Sequence, residues 1–397
     1  MARTRTGRAR SRRAAGRRHV CVITGTRAEY GLLRPVIAAF RSEGLVPRVI
    51  VTGMHLSPQF GLTVDQIVSD GCRIDARVEM TLAGDSAAAM ATSIGVGICG
   101  LTQVLTQLAP DIVLLLGDRV EAFAGATSAA CLNIPVGHLH GGEVSRGGLD
   151  ESMRHAITKL AHLHFTATEQ NRRRTIRMGE RPDCVFTVGA PGLDDVMAMK
   201  IWSRTELEGK LGRKLPMPLV LVVQHPVSTT ADDAAAQMRE TLEAVRETSG
   251  CAVVVYPNAD TGGRRMIEVI EGYRGEPWLY IKDSFDRQTY LSLLHECNVL
   301  VGNSSSGVIE AASYRTPVVN LGTRQAGRQR STNIIDAPLR REDIREAIEK
   351  ALGDRSFRAR LRRCRNPYFT GNASRRIAEI LARVEIGPAL LQKQITY

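Results

Sequence analysis

The side chains able to move protons crowd into residues 111–156, which read DIVLLLGDRVEAFAGATSAACLNIPVGHLHGGEVSRGGLDESMRHA. Asp118, His140, Glu143, Asp150, Arg154 and His155 fall within this stretch. Carboxylates and an imidazole set together can take a proton from one atom and return one to another, while a cation holds the anion that results. Asp150 and Arg154 are four residues apart at the start of an expected helix and so share a face; a plain surface ion pair has the same spacing. Two apolar runs, Ile112–Leu116 and Ile134–Leu139, carry this set at their ends: Gly117-Asp118-Arg119 after the first, His140-Gly141-Gly142-Glu143 after the second. Continuous apolar runs of this kind suit parallel strands covered on both faces, and open α/β sheets bind ligands beyond the carboxyl ends of their strands.

A second group has the composition of a phosphate and nucleotide site. Val301-Gly302-Asn303-Ser304-Ser305-Ser306-Gly307-Val308-Ile309-Glu310 reads as a strand, a Gly/Ser turn and a helix start. Free N–H groups and hydroxyls at such a turn cradle phosphate, although a serine N-cap has the same letters. The three serines flanked by glycines are the phosphate candidates, and Glu310, near the first helical turn, either stabilises the helix dipole or grips ribose hydroxyls. No Gly-Lys-Ser/Thr follows, so this is not a Walker loop. His225, Asn258 and Arg324 each follow a strand-like run, in Gln224-His225-Pro226, Asn258-Ala259-Asp260 and Leu321-Gly322-Thr323-Arg324. The alternatives are an Asx turn at Asn258 and a solvated basic loop from Arg324 through Arg328 and Arg330. Gly25-Thr26-Arg27 is a short phosphate-approach turn with a cation, or a turn with a surface arginine. His162 and His164 read as structural.

The elements that must position these residues alternate strand-like runs with helical patterns, which implies parallel, doubly wound α/β sheets. The pattern restarts at Leu219–Val223, and 397 residues favour two domains. The expected division is an Arg-rich tail (1–18), an N-terminal Rossmann-like catalytic domain (19–196), a C-terminal Rossmann-like nucleotide domain (197–367) and a C-terminal helix and tail (368–397) that can pack back on the first domain. Eight of the twelve net positive charges sit in residues 1–18, leaving +4 for the rest. That residue of charge suits an anionic small substrate and does not require nucleic acid; the tail reads as solvated and disordered. No 18-residue apolar stretch and no signal-type core are read, so a cytoplasmic protein with no membrane partner is expected. The cysteines have no C-x-x-C spacing, and Cys21, Cys131 and Cys251 read as buried thiols rather than zinc ligands or disulfides. No G-x-S-x-G, H-E-x-x-H or G-x-G-x-x-G motif after the first run argues for a serine hydrolase, a zinc protease or a dinucleotide oxidoreductase.

Taken together, TGTRAEYGLLRPVI, GDRVEA, HLHGGEVSRGGLDESMRHAITKLAHLHF, VGAPGLD, QHPVSTT and VGNSSSGVIEAASYRTPVVNLGTRQAGR closely resemble the hydrolysing UDP-N-acetylglucosamine 2-epimerases of sialic-acid-type pathways. The resemblance spans about Val20 to Ile335. It implies two Rossmann-like domains facing across a cleft, a GT-B-like fold, with the nucleotide held mainly by the second. It further implies conversion of UDP-N-acetylglucosamine and water to N-acetylmannosamine and UDP, by elimination to a 2-acetamidoglucal and hydration, without cofactor or catalytic metal. On this resemblance Asp118 and Asp150 belong to the acid–base set with Arg154 nearby. Ser304 and Ser305 hold phosphate, His225 and Arg324 the diphosphate, Glu310 the ribose, Arg27 reaches across to the diphosphate, and Phe285 offers a stacking surface to uracil. At His140 many relatives carry glutamate, and an imidazole does not replace a carboxylate in charge, so its role, shared with Glu143, stays open. The alternatives are the same chemistry on a UDP-diacetamido-trideoxyhexose, a non-hydrolysing epimerase, a GT-B glycosyltransferase and a non-catalytic UDP-sugar binder. A homo-oligomer, dimer or tetramer, is the expected assembly.

Overall fold

Among the described residues, thirteen strands form two separate, wholly parallel sheets. The structure is a computed structural model that describes residues 17–58, 61–82, 86–144, 149–258 and 260–397, without the side chains of 228 and 229. Residues 1–16 of the expected tail, 145–148 of the acid–base stretch and Ala259 lie outside the described residues. Arg18, assigned to the tail, is tied down: its guanidinium donates to the Leu381 carbonyl.

The first sheet contains β1 (His19–Thr24), β2 (Val46–Thr52), β3 (Ala76–Val78), β4 (Ile112–Leu116), β5 (Val136–Leu139), β6 (Leu163–Thr166) and β7 (Val185–Thr187), in the order β3-β2-β1-β4-β5-β6-β7. The second contains β8 (Leu219–Val223), β9 (Cys251–Val255), β10 (Leu279–Lys282), β11 (Val299–Gly302), β12 (Val318–Leu321) and β13 (Ile334–Ala337), in the order β10-β9-β8-β11-β12-β13. Every residue of β4 and β8 is buried, because helices cover both faces of each sheet. Strand order reverses between β1 and β4 in one sheet and between β8 and β11 in the other. Ligand crevices of doubly wound sheets open at these switch points.

Several elements differ from the sequence reading. The short edge strands β3 and β13 carry no periodic signal and were not expected. The helices Gly192–Ala198 and Arg204–Leu211 occupy part of the stretch read as the inter-domain connection. The helix Arg27–Ser42 starts inside the turn read as a phosphate approach, because Thr26 and Glu29 form a capping box. The Glu29 carboxylate accepts from the Gly25 and Thr26 N–H groups at 2.8 and 3.1 Å, so the proposed phosphate turn is filled by the protein's own acid. Cys131 is exposed, not buried: it sits in the last turn of the helix Val120–Cys131, facing out.

The expectation of no 18-residue apolar stretch is also corrected. The helix Ala87–Leu108 has no charged residue and is long and apolar enough to cross a membrane by length and composition. Here it packs on the helix Val120–Cys131, with Leu101 and Leu105 fully buried. The C-terminal helix Ala373–Arg383 lies on the helix Arg27–Ser42 and puts Ile377, Ala378 and Leu381 into the core of the first sheet.

Candidate active site

Asp118 follows β4 through Gly117, whose φ of 79° turns the chain sharply at the strand end. Its carboxylate forms an ion pair with the fully buried Arg154, from the helix Leu149–Leu160. Burial alone would raise this carboxyl, but Arg154, Arg328, Arg324 and Arg119 outweigh it and hold it below the usual carboxylate range. Asp150, in the first turn of the same helix, has the opposite setting. Burial, then the neighbouring charges of Asp118 and Asp260, push its carboxyl up to about 6, against the pull of Arg324 at 3.4 Å. Two carboxylates at one crevice are thereby split, one permanently ionised and one able to exchange a proton near neutrality. Arg154 is thus directed to Asp118 and to the His140 carbonyl at 3.2 Å, not restricted to the Asp150 that its spacing suggested.

His140 ends β5 with φ 62°, a left-handed conformation that costs a non-glycine residue about 1 kcal/mol or more and tends to be kept at functional sites. Its Nδ1 lies 2.6 Å from Glu143 Oε1. Burial would raise Glu143, but Arg328 at 3.3 Å and His140 hold it far below its ordinary value. An ionised Glu143 makes Nδ1 the protonated nitrogen, which leaves Nε2 the unprotonated one. Nε2 is buried and has no hydrogen-bond partner among the described residues.

The second domain contributes from the ends of β8, β9, β11 and β12. The Asn303 side chain accepts the His225 N–H at 2.7 Å and donates to the His225 carbonyl at 2.8 Å. The Asn258 N–H donates to His225 Nδ1 at 3.1 Å, so the ring carries its proton on Nε2. Burial, with Arg324 and Arg119 nearby, lowers this imidazole to about 3; it is a neutral donor, not a cation. Arg324 donates to the Asn303 carbonyl at 3.3 Å and reaches Asp150. Ser304 caps the helix Ser305–Ile309, accepting from the Ser306 N–H at 3.4 Å, and Ser305 opens that helix. Gly302 before it has φ 142°, and a Cβ there would lie 2.0 Å from the Val223 carbonyl oxygen. Both oxygens of Glu310 are engaged, with Arg287 and with the Ser306 hydroxyl, each at 2.5 Å, so a ribose hydroxyl would have to share them. Arg27 crosses to the second domain, donating to Ser284 at 2.7 Å, and the adjacent Phe285 stacks on Tyr280 with ring centroids 6.4 Å apart.

A chain of contacts therefore joins the acid–base set to the nucleotide candidates: Asp118 to Arg154, Asp150 to Arg324, Arg324 to Asn303, Asn303 to His225, and His225 to Asn258. A cavity of about 90 Å³ opens beside it, lined by Asp118 and Asp150 among others. Three residues outside the candidate list also span the crevice. Arg119 bridges Glu121 at 3.2 Å and Asp260 at 3.4 Å, and Arg328 of the basic loop pairs with Glu143. The signal was present, since each lies next to a strand-end motif, but their partners are distant in sequence. Glu29 lies beneath this cluster; burial and the charge of Glu121 raise it to about 8. Among the described residues no group of three or more His, Cys, Asp or Glu is arranged to hold a metal ion.

The fold is that of solved UDP-N-acetylglucosamine 2-epimerases, two α/β domains in a GT-B-like arrangement. The Neisseria meningitidis UDP-GlcNAc 2-epimerase, bound to UDP-GlcNAc, matches with a TM-score of 0.79 at 20% identity, over 92% of this chain and 100% of that one. The Methanocaldococcus jannaschii UDP-GlcNAc 2-epimerase, in complex with UDP-GlcNAc and UDP, matches with 0.74 at 18% identity, over 91% and 99%. The family described as UDP-N-acetylglucosamine 2-epimerase matches residues 38–382, and the chain belongs to that family. Among curated relatives it is 39% identical to the UDP-N,N'-diacetylbacillosamine 2-epimerase (hydrolyzing) of Legionella pneumophila, over 96% of this chain and 100% of that protein. It is 31% identical to a UDP-N-acetylglucosamine 2-epimerase of Neisseria meningitidis, over 94% and 96%.

Proposed function

We propose that the protein is a hydrolysing 2-epimerase of a UDP-2-acetamido sugar, with UDP-N,N'-diacetylbacillosamine as substrate, releasing UDP and the free sugar inverted at C2. The observation that carries the reading is the split carboxylate pair: Asp150 raised to about 6 and Asp118 held ionised on Arg154, facing Arg324 and His225 of the other domain. The identity of the sugar is supported by the Legionella pneumophila relative.

In the first step Asp150, ionised, takes the proton from C2. The C1–O bond breaks, its electrons leave with UDP, and the former C2–H pair forms the C1=C2 bond of a 2-acetamidoglycal. The departing diphosphate is met by Arg324, by the Nε2–H of His225 and by the hydroxyls and N–H groups at Ser304 and Ser305, with Arg27 reaching it from the first domain. His140 Nε2, with Nδ1 aligned by Glu143, takes up a proton from solvent and delivers it to C2 on the opposite face. Water bonds through its oxygen to C1, the proton it sheds returns to Nε2, and the proton held by Asp150 passes to solvent with the products. Glu310 holds the ribose, Asn258 supports His225, and Phe285 stacks on uracil. No cofactor enters any of these steps.

The second reading keeps the chemistry on UDP-N-acetylglucosamine with N-acetylmannosamine as product, favoured by the Neisseria meningitidis relative. Incubation with each UDP-sugar followed by NMR separates them: UDP and free 2-epimer from the diacetamido sugar support the proposal. Accumulation of an intact 2-epimeric UDP-sugar would indicate a non-hydrolysing enzyme, and turnover only with an added acceptor would indicate a glycosyltransferase.

We further propose that the protein works in the cytoplasm as a homo-oligomer built on the helix Ala87–Leu108. The outward side of that helix, which includes Val96 and Cys99, is uncharged in a chain of net charge +12. Two copies can meet there without opposing like charges.

A further inference from the structure

Four of the chain's eleven methionines line the cavity beside Asp118 and Asp150: Met54, Met80, Met90 and Met153. They come from different elements. Met54 lies in the turn Gly53–Leu56 after β2, Met80 just after β3, Met90 in the first turn of the helix Ala87–Leu108, and Met153 three residues beyond Asp150. Leu82 and Leu149, each about two-fifths exposed, add apolar surface to the same lining. Met80 is buried and packed against Gly97, so it backs the wall, while Met54, Met90 and Met153 are half-exposed and can adjust to a ligand.

The two serines of this wall already accept from backbone N–H groups, and Thr81 and Thr261 are the other hydroxyls of the lining. Ser93 Oγ donates to the Ala89 carbonyl at 2.8 Å and accepts from the Leu82 N–H at 3.0 Å. Ser86 Oγ accepts from the Ala89 N–H at 3.1 Å as the helix cap. A sugar hydroxyl pressed against thioethers and methyls gives up its water without a comparable replacement, whereas a methyl group gains contact. The C2 acetamido group is common to both candidate substrates and cannot discriminate between them. The difference lies at C4 and C6: hydroxyls in one sugar, an acetamido group and a methyl in the other.

We infer that the methionine wall is the specificity-determining part of the site, with Met90 and Met153 selecting a methyl-bearing 4-acetamido-6-deoxy sugar over a hydroxylated hexosamine. The inference rests on the 2-epimerase reading and adds to it the residues that choose the sugar. Methionine at these positions gives surface that is apolar yet adaptable, which suits a ring that must change shape between sugar and glycal.

The test compares kcat/KM for UDP-N,N'-diacetylbacillosamine and UDP-N-acetylglucosamine in the wild type and in Met90→Gln, Met153→Gln and Met153→Leu, with thermal melting as the folding control. Glutamine nearly keeps the volume of methionine and adds hydrogen-bonding groups; leucine keeps the wall apolar. The expected result is a wild-type preference of tenfold or more for the deoxy sugar, reduced by about tenfold in each glutamine variant and retained in Met153→Leu. An unchanged ratio in the folded glutamine variants, both substrates rising or falling together, overturns the role of the wall while leaving the epimerase standing. Release of UDP from neither sugar by the wild type overturns the parent reading and this one with it.

Discussion

Asp118 and Asp150 carry the same functional group, and their neighbours give them different work. Asp150→Asn removes the proposed proton acceptor and is expected to lower kcat by at least about 100-fold while UDP affinity changes by less than a few fold, checked by steady-state kinetics and calorimetry. Asp118→Asn removes one of the carboxylates that hold the buried Arg154, so it should also destabilise the fold, by about 1–3 kcal/mol in denaturant unfolding. The pH dependence follows from the direction of the Asp150 shift, from an ordinary 3.8 to about 6. As a base it works ionised, so kcat/KM should rise through pH 6 and level off above it. The sign for stability is opposite: the raised carboxyl favours the folded state fully below about pH 4, and that contribution is lost as pH rises through 6. A kcat/KM that is flat from pH 5 to 7 would remove Asp150 as the base. At this scale the sequence is informative about placement, since the candidate acids and imidazoles stand at strand ends as read. It is silent on who pairs with whom. The i,i+4 spacing offered Asp150 to Arg154, but Arg154 turns to Asp118, thirty-six positions earlier, because the β4 end lies over the buried side of the helix.

The Gly/Ser turn after β11 depends on its backbone as much as on its serines. Gly302 stands at φ 142°, and any Cβ would press into the Val223 carbonyl of the neighbouring β8. Gly302→Ala is therefore expected to cost more than about 2 kcal/mol in unfolding free energy and to weaken UDP binding, because Asn303 and Ser304 follow directly. Unchanged melting and UDP affinity would show that the turn tolerates the shift. The long buried strands and the amphipathic helices were legible from their apolar runs. The short strands β3 and β13 were not, because an edge strand of three or four half-exposed residues has too few positions to show a period. The start of the helix Arg27–Ser42 was readable in principle: Thr26 and Glu29 spell a capping box, and a reading of Gly25-Thr26-Arg27 as a phosphate turn passed over it.

Between the two sheets, three ion pairs bridge the crevice, Asp150 with Arg324, Glu143 with Arg328, and Asp260 with Arg119. Each joins a candidate acid–base residue or its direct neighbour to the opposite domain, so the charges around the carboxylates depend on how the two domains face each other. Two Rossmann-like units facing across a cleft were readable from the restart of the βα alternation at Leu219. The closed geometry was not, since it depends on loops that meet only in three dimensions. The uncharged face of the helix Ala87–Leu108 makes a prediction about assembly. Val96→Glu should lower the mass seen by light scattering from that of an oligomer to that of one chain, and an unchanged mass would move the interface elsewhere. The claim on which the rest depends is that one carbon-bound hydrogen leaves with the diphosphate. It is tested most directly by running the reaction in heavy water and reading the released sugar by NMR and mass spectrometry. Free UDP together with a 2-epimeric sugar carrying one deuterium at C2 is the predicted outcome; a released sugar that keeps its original hydrogen at C2 would contradict it.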